Sequence, residues 1–120
     1  MFSVIFPGQG SQIVGMGKDL HSKYNIIKKL FKEADEILDF SISNIILEGP
    51  KEKLDLTENT QPAIFLLGYS IFNLLKKENF IDLNKAKFFA GHSLGEYTAL
   101  ASAEVLSFSE TLKILKVRGN

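Results

Sequence analysis

Apolar residues along this chain follow two spacings, one suited to strands and one to helices. Phe2-Ser3-Val4-Ile5-Phe6 is short, apolar and partly β-branched, and it ends at Pro7, which is the pattern of a short buried strand. Residues 86–90, closing on Phe88-Phe89-Ala90, read as a second strand. Between 24 and 38, Ile27, Leu30, Phe31, Ala34, Ile37 and Leu38 fall on one stripe, which predicts an amphipathic helix. A short helix is expected from Ser43 to Leu47, stopped at Gly49-Pro50. Residues 61–78 are apolar almost all round and predict a long, nearly buried helix. Pro62 is placed in its first turn, where proline is tolerated, and Lys76 and Lys77 suit its C-terminal dipole. Ser107-Phe108-Ser109-Glu110 is a capping box that opens a last helix carrying Leu112, Leu115 and Arg118.

Strand, helices, strand and helices in this order imply an α/β fold with a parallel sheet covered by helices. Only two strands are visible. A two-stranded sheet has two bare edges, and it covers too little of the apolar faces at 24–38 and 61–78. The 120 residues therefore read as part of one domain, and on their own they are expected to fold poorly and associate. No repeat, low-complexity tract or flexible linker interrupts them.

Composition narrows the function. Hydrophobic residues make up 45% of the chain, and 14 basic residues balance 14 acidic ones. A nucleic-acid binder would carry a basic excess. There is no cysteine, which excludes disulfide scaffolds, thiol catalysis and cysteine metal sites. The apolar start at Met1 lacks a basic flank and is too short for a signal peptide or a membrane span. These features fit a cytoplasmic enzyme. Arg118 is the only arginine.

The chemistry centres on Gly91-His92-Ser93-Leu94-Gly95. This is the G-x-S-x-G pattern of a nucleophile elbow, in which a sharp strand-to-helix turn lifts a serine Oγ clear of the backbone. A helix-favouring run, residues 96–101, follows and would aim its N-terminal N–H groups at a developing oxyanion. Ser93 is the candidate nucleophile. It needs a general base, and neither histidine fits. His92 is adjacent to Ser93 and reads as a packing residue, and His21 lies in a polar stretch and reads as a surface residue. Pro7-Gly8-Gln9-Gly10-Ser11-Gln12 forms a second glycine-rich loop after a strand. Met16 stands where a P-loop needs lysine, and Ile13 where a dinucleotide fingerprint needs its third glycine. What remains is a structural turn or a loop that donates a backbone N–H to an oxyanion. Arg118 is either a surface charge or a bidentate partner for a carboxylate. Met16, Tyr69 and the phenylalanines read as core.

Taken together, Phe6 to Gln12, Thr60-Gln61-Pro62-Ala63, Gly91 to Tyr97 and Arg118-Gly119 resemble the malonyl-CoA:acyl-carrier-protein transacylases of fatty acid biosynthesis, in order and spacing across the whole chain. The resemblance implies a partial α/β-hydrolase-like parallel sheet with a nucleophile elbow, residues 1–120 being the N-terminal portion of one acyltransferase catalytic domain. The rest of the sheet, a ferredoxin-like subdomain and the base histidine would lie downstream. It also implies that Ser93 becomes malonylated, that Gln9 and Leu94 give the oxyanion-hole N–H groups, that Arg118 pairs with the malonyl carboxylate and that Gln61 lines the pocket. Malonyl-CoA and acyl carrier protein would be the partners, with no cofactor, metal, nucleic acid or membrane. Residues 1–120 alone are expected to be inactive. An α/β serine hydrolase and a non-catalytic fragment are the alternatives.

Overall fold

The computed structural model describes residues 2–6, 12–77, 86–91 and 107–119, with side chains described for 12–77 and 107–117. Strand β1 (Phe2–Phe6) and strand β2 (Ala86–Gly91) pair in parallel. Phe6 stands opposite Gly91, and the register shifts between Phe2 and Ser3. Strand β2 runs one residue beyond the expected 86–90, so the first glycine of the G-x-S-x-G motif belongs to the strand.

Six helices complete the described residues. Helix α1 (Lys18–Lys23) and helix α2 (Asn25–Leu38) are followed by α3 (Ile42–Glu48), α4 (Lys51–Leu54), α5 (Thr57–Lys77) and α6 (Phe108–Gly119). The stripe read from 24–38 becomes the buried face of α2, with Ile27, Phe31, Ala34 and Leu38 all out of water. Asp39 ends that helix in the left-handed region at φ 60°. Helix α3 is capped twice. The Ser41 hydroxyl accepts from the Asn44 N–H at 3.4 Å, and Asp35, reaching over from α2, accepts from the Ser43 N–H at 2.9 Å. Asp35 thereby ties α2 to α3 while Ile42 and Ile46 sink into the core.

Helix α5 is the centre of the helical layer. It packs on α2, α3, α4 and α6, and every residue from Thr60 to Leu66 is buried. It begins at Thr57 rather than 61, because the Leu56 carbonyl accepts the Asn59 and Thr60 N–H groups, each at 2.8 Å. Pro62 thus sits in the second turn, where its missing N–H leaves the Glu58 carbonyl without its helical donor. Pro62 therefore does not mark the first turn, and the boundary expected at 61 lies at Thr57. Helix α6 opens as expected. Ser107 Oγ accepts from the Glu110 N–H at 3.0 Å, and Thr111, Leu112 and Leu115 face inward.

The expectation that two strands would leave the apolar faces bare is corrected. Helix α2 buries its stripe against α5, α3 and α6, and the core is helix on helix. Rings join α5 to α6: Tyr69 and Phe108 lie 5.0 Å apart and Phe65 and Phe108 5.7 Å, spacings that add to simple area burial. Phe31, Phe65 and Phe72 are buried, and Met16, Tyr69, Phe40 and Phe108 pack against the cluster from its margin. Gly17 precedes α1 at φ 75°, and a Cβ there would run into the Leu67 side chain, so the α1 turn and α5 approach as closely as glycine allows.

Candidate active site

Strands β1 and β2 run parallel with Phe6 and Gly91 as partners. The carboxyl ends of the two strands therefore lie at the same end of the pair. Neighbouring strands lie about 4.8 Å apart. In sequence, Pro7 and the glycine–glutamine motif follow Phe6, and His92 and Ser93 follow Gly91. Active sites of parallel sheets form at this carboxyl end. Gln9, His92, Ser93, Leu94 and the expected helix at 96–101 lie outside the described residues. Arg118 falls in the last turn of α6, three positions beyond buried Leu115.

Gln61 is the candidate whose side chain is described. It stands on α5 next to Thr60, only 6% exposed, and its Oε1 has no hydrogen-bond partner among the described residues. Thr60 shows the ordinary arrangement. It is fully buried, and its hydroxyl donates to the Leu54 carbonyl and to the Leu56 carbonyl, the latter at 3.0 Å. A buried polar atom without a partner costs about 1–3 kcal/mol, and such atoms in native proteins are few. Ser70 Oγ, further along α5, is also buried and unpartnered among the described residues.

His21 is half-buried, correcting its reading as a surface residue. Its ring stands 5.1 Å from that of Phe31, and burial, helped by the nearby Lys28 charge, lowers its pKa below the ordinary 6.5. That is the environment of a packing histidine. No group of three or more acidic or histidine side chains able to hold a metal occurs among the described residues, and none of the described helices is long and apolar enough to cross a membrane.

One polar link was not visible in the sequence. Gln12, at the end of the glycine-rich loop, donates from Nε2 to Asp55 Oδ1 at 3.0 Å. Asp55 Oδ2 accepts from Lys51 Nζ at 2.5 Å. These two donors, Lys51 first, hold the Asp55 carboxyl below the usual carboxylate range. Gln12 belongs to the glycine-rich motif, but nothing local marks Asp55, because the bond joins residues 43 apart.

Comparison with known proteins bears on the same residues. The acyl transferase domain family matches residues 3–120. A malonyl CoA-acyl carrier protein transacylase from Haemophilus influenzae is 43% identical over 98% of this chain. The crystal structure of an acyl carrier protein S-malonyltransferase from Vibrio cholerae superposes with a TM-score of 0.92 at 39% identity, over 98% of this chain and 38% of its own. A malonyl-transacylase in complex with a type II PKS acyl-carrier protein matches at a TM-score of 0.92 and 35% identity, over 98% of this chain and 37% of its own. The chain spans 37% of the length of the Haemophilus relative.

Proposed function

This chain belongs to the acyl transferase domain family, and on that premise we propose that it carries the nucleophile half of an enzyme that moves a malonyl group from malonyl-CoA to the phosphopantetheine thiol of acyl carrier protein in fatty acid biosynthesis. The observation that carries the reading is the parallel pairing of Phe6 with Gly91, which supports a nucleophile and an oxyanion donor arriving from adjacent strands. The relatives' names support malonyl-CoA and acyl carrier protein as the partners. A cytoplasmic setting accords with a chain that has no cysteine.

In this reading Ser93 Oγ attacks the thioester carbonyl of malonyl-CoA and gives its proton to a general base. The oxyanion is held by the backbone N–H groups of Gln9 and Leu94, donors aimed where charge develops. Collapse of the tetrahedral intermediate breaks the C–S bond. CoA leaves as its thiol after taking the proton, and Ser93 keeps the malonyl group as an ester. The carrier thiol then attacks that ester, and the same steps in reverse free Ser93. Arg118 meets the malonyl carboxylate with two parallel hydrogen bonds. Gln61, whose amide oxygen has no partner among the described residues, offers it to a donor on the bound acyl-CoA or carrier arm. His21 and His92 are not assigned as the base, so residues 1–120 alone are expected to give no steady turnover, since a serine without its base loses orders of magnitude in rate.

The test is loading of the serine, followed by mass of the intact full protein, from malonyl-CoA and from acetyl-CoA. Ser93→Ala should take up neither acyl group. Arg118→Ala should lose malonyl loading on the order of a hundredfold or more relative to acetyl, because breaking a buried charge pair typically costs about 3–5 kcal/mol. Equal loss with both donors refutes carboxylate recognition by Arg118. A loaded enzyme that passes its acyl group to water faster than to the carrier thiol is a hydrolase, and that outcome overturns the transfer reading.

A further inference from the structure

Charge is divided unevenly between neighbouring stretches of this chain. Residues 18–32 carry five lysines and one carboxylate, Asp19, whereas residues 33–58 carry eight carboxylates and two lysines. Lys28, Lys29 and Lys32 lie on the first turns of α2, across the helix from the buried Ile27, Phe31 and Ala34, and all three are exposed. Lys23, exposed as well, closes α1 just before α2 begins, with its Nζ 5.6 Å from the centre of the Tyr24 ring. We propose that these four lysines form a docking surface for an acidic protein partner, the acyl carrier protein of the proposed reaction. This rests on the functional reading above, in which a carrier thiol takes up the malonyl group.

Three observations support the surface. First, these charges are not used inside the fold. Among the described residues none of Lys28, Lys29 and Lys32 has a carboxylate at ion-pair distance, although Glu33 and Glu36 follow Lys29 and Lys32 at the i, i+4 spacing. Asp35, the other acid on this part of α2, turns to Ser43 of α3. Lys18, by contrast, is paired with Glu48 at 3.4 Å and stays outside the surface. Second, Lys28 and Lys32 stand one turn apart, a spacing at which like charges weaken a helix, so helix stability gives no reason for them. Third, burial and, after it, the Lys28 charge lower the pKa of His21, so the field of this face reaches into the joint of α1 and α2. A carrier that must deliver its arm and leave needs fast arrival and easy release. Exposed charges supply both, since they speed encounter through attraction at a distance and hold weakly once water and salt screen them. The partner brings negative charge of its own, because a phosphopantetheine arm is joined to its carrier through a phosphate.

The experiment measures steady-state malonyl transfer by the full protein, with carrier protein and malonyl-CoA varied in turn, at low and at high salt, and a thermal melt of each variant. The triple variant Lys28→Glu, Lys29→Glu and Lys32→Glu should raise KM for the carrier protein on the order of tenfold, with KM for malonyl-CoA within about twofold. Added salt should raise the carrier KM of the parent and scarcely move that of the variant. The same three lysines changed to Gln should give an intermediate rise. Lys53→Glu, at an exposed lysine of the acidic stretch, should change neither KM. A carrier KM for the triple Glu variant within twofold of the parent overturns the proposal. So does an equal rise in both KM values, which would mean that the lysines attract the phosphates of CoA. A loss that simply follows the melting temperature, or a DNA duplex held more tightly than the carrier at the same salt, overturns it as well. A parent that loads Ser93 yet passes no malonyl group to the carrier marks the other failure: the transfer reading then falls, and the docking surface with it.

Discussion

The helical core and the surroundings of Gln61 both lie out of water, yet they meet burial in different ways. Where α5 packs on α2 and α6, the buried surface is Ile27, Phe31, Ala34, Phe65, Leu66, Leu112 and Leu115, and Thr60 turns its hydroxyl onto two carbonyls. One residue along, Gln61 carries a buried oxygen with no partner among the described residues. The first region is built for stability, with apolar contact and local pairing. The second has a hydrogen-bonding capacity that the described residues leave unmet. On the proposed function the contrast sets residues that serve the fold beside one that serves a ligand, on a single helix.

Four substitutions test that division, and each is followed by denaturant unfolding of the full protein. Phe65→Ala should have the largest effect, a loss of about 3–5 kcal/mol, because a fully buried ring that meets Tyr69 and Phe108 leaves a cavity. A loss under 1 kcal/mol would mean that the α5–α6 contact is not part of the core. Thr60→Val should cost about 1–3 kcal/mol, since the donor to the Leu54 and Leu56 carbonyls disappears. Gln61→Met should do the opposite, raising stability by about 1 kcal/mol while malonyl loading of Ser93 falls. If Gln61→Met destabilises as much as Thr60→Val, its oxygen is paired within the fold and the comparison fails. Ser107→Ala, which removes the acceptor for the Glu110 N–H, should cost about 1 kcal/mol, with loading unchanged.

The smallest effect expected is one of pH. Burial lowers the His21 pKa in the folded chain below its ordinary 6.5. As pH falls through 6.5 the unfolded chain takes up this proton first, so stability present above that pH is lost on acidification. His21→Gln should flatten the slope of stability between neutral pH and pH 5. A parent protein whose stability rises on acidification in that window, by an amount that vanishes in the variant, would show that His21 binds its proton more tightly when folded.

The elements that could be read along the chain are those whose cause is local. The i, i+4, i+7 stripe of α2 depends on helix geometry alone, so Ile27, Phe31, Ala34 and Leu38 are inward wherever the helix docks. Ser107 caps α6 through atoms three residues away. The motif at 91–95 and the segment at 7–12 point to chemistry through residue types, which is why Ser93, Leu94 and Gln9 are proposed although they lie outside the described residues. Other features needed the tertiary structure. Helices α1 and α4 are six and four residues long, too short to show a period. They are set by distant partners: the Gly15 N–H on the Ile46 carbonyl, Leu67 against Gly17, and Gln12 on Asp55. Pro62 misled about the start of α5 because the Leu56 carbonyl, not the proline, takes the first helical N–H groups. The covering of α2 by other helices, and the pairing of the Thr60 hydroxyl beside a Gln61 oxygen that has no partner among the described residues, depend on which surfaces meet in space. Residue spacing fixes a helix face; only packing decides what that face touches and which polar atoms meet across it.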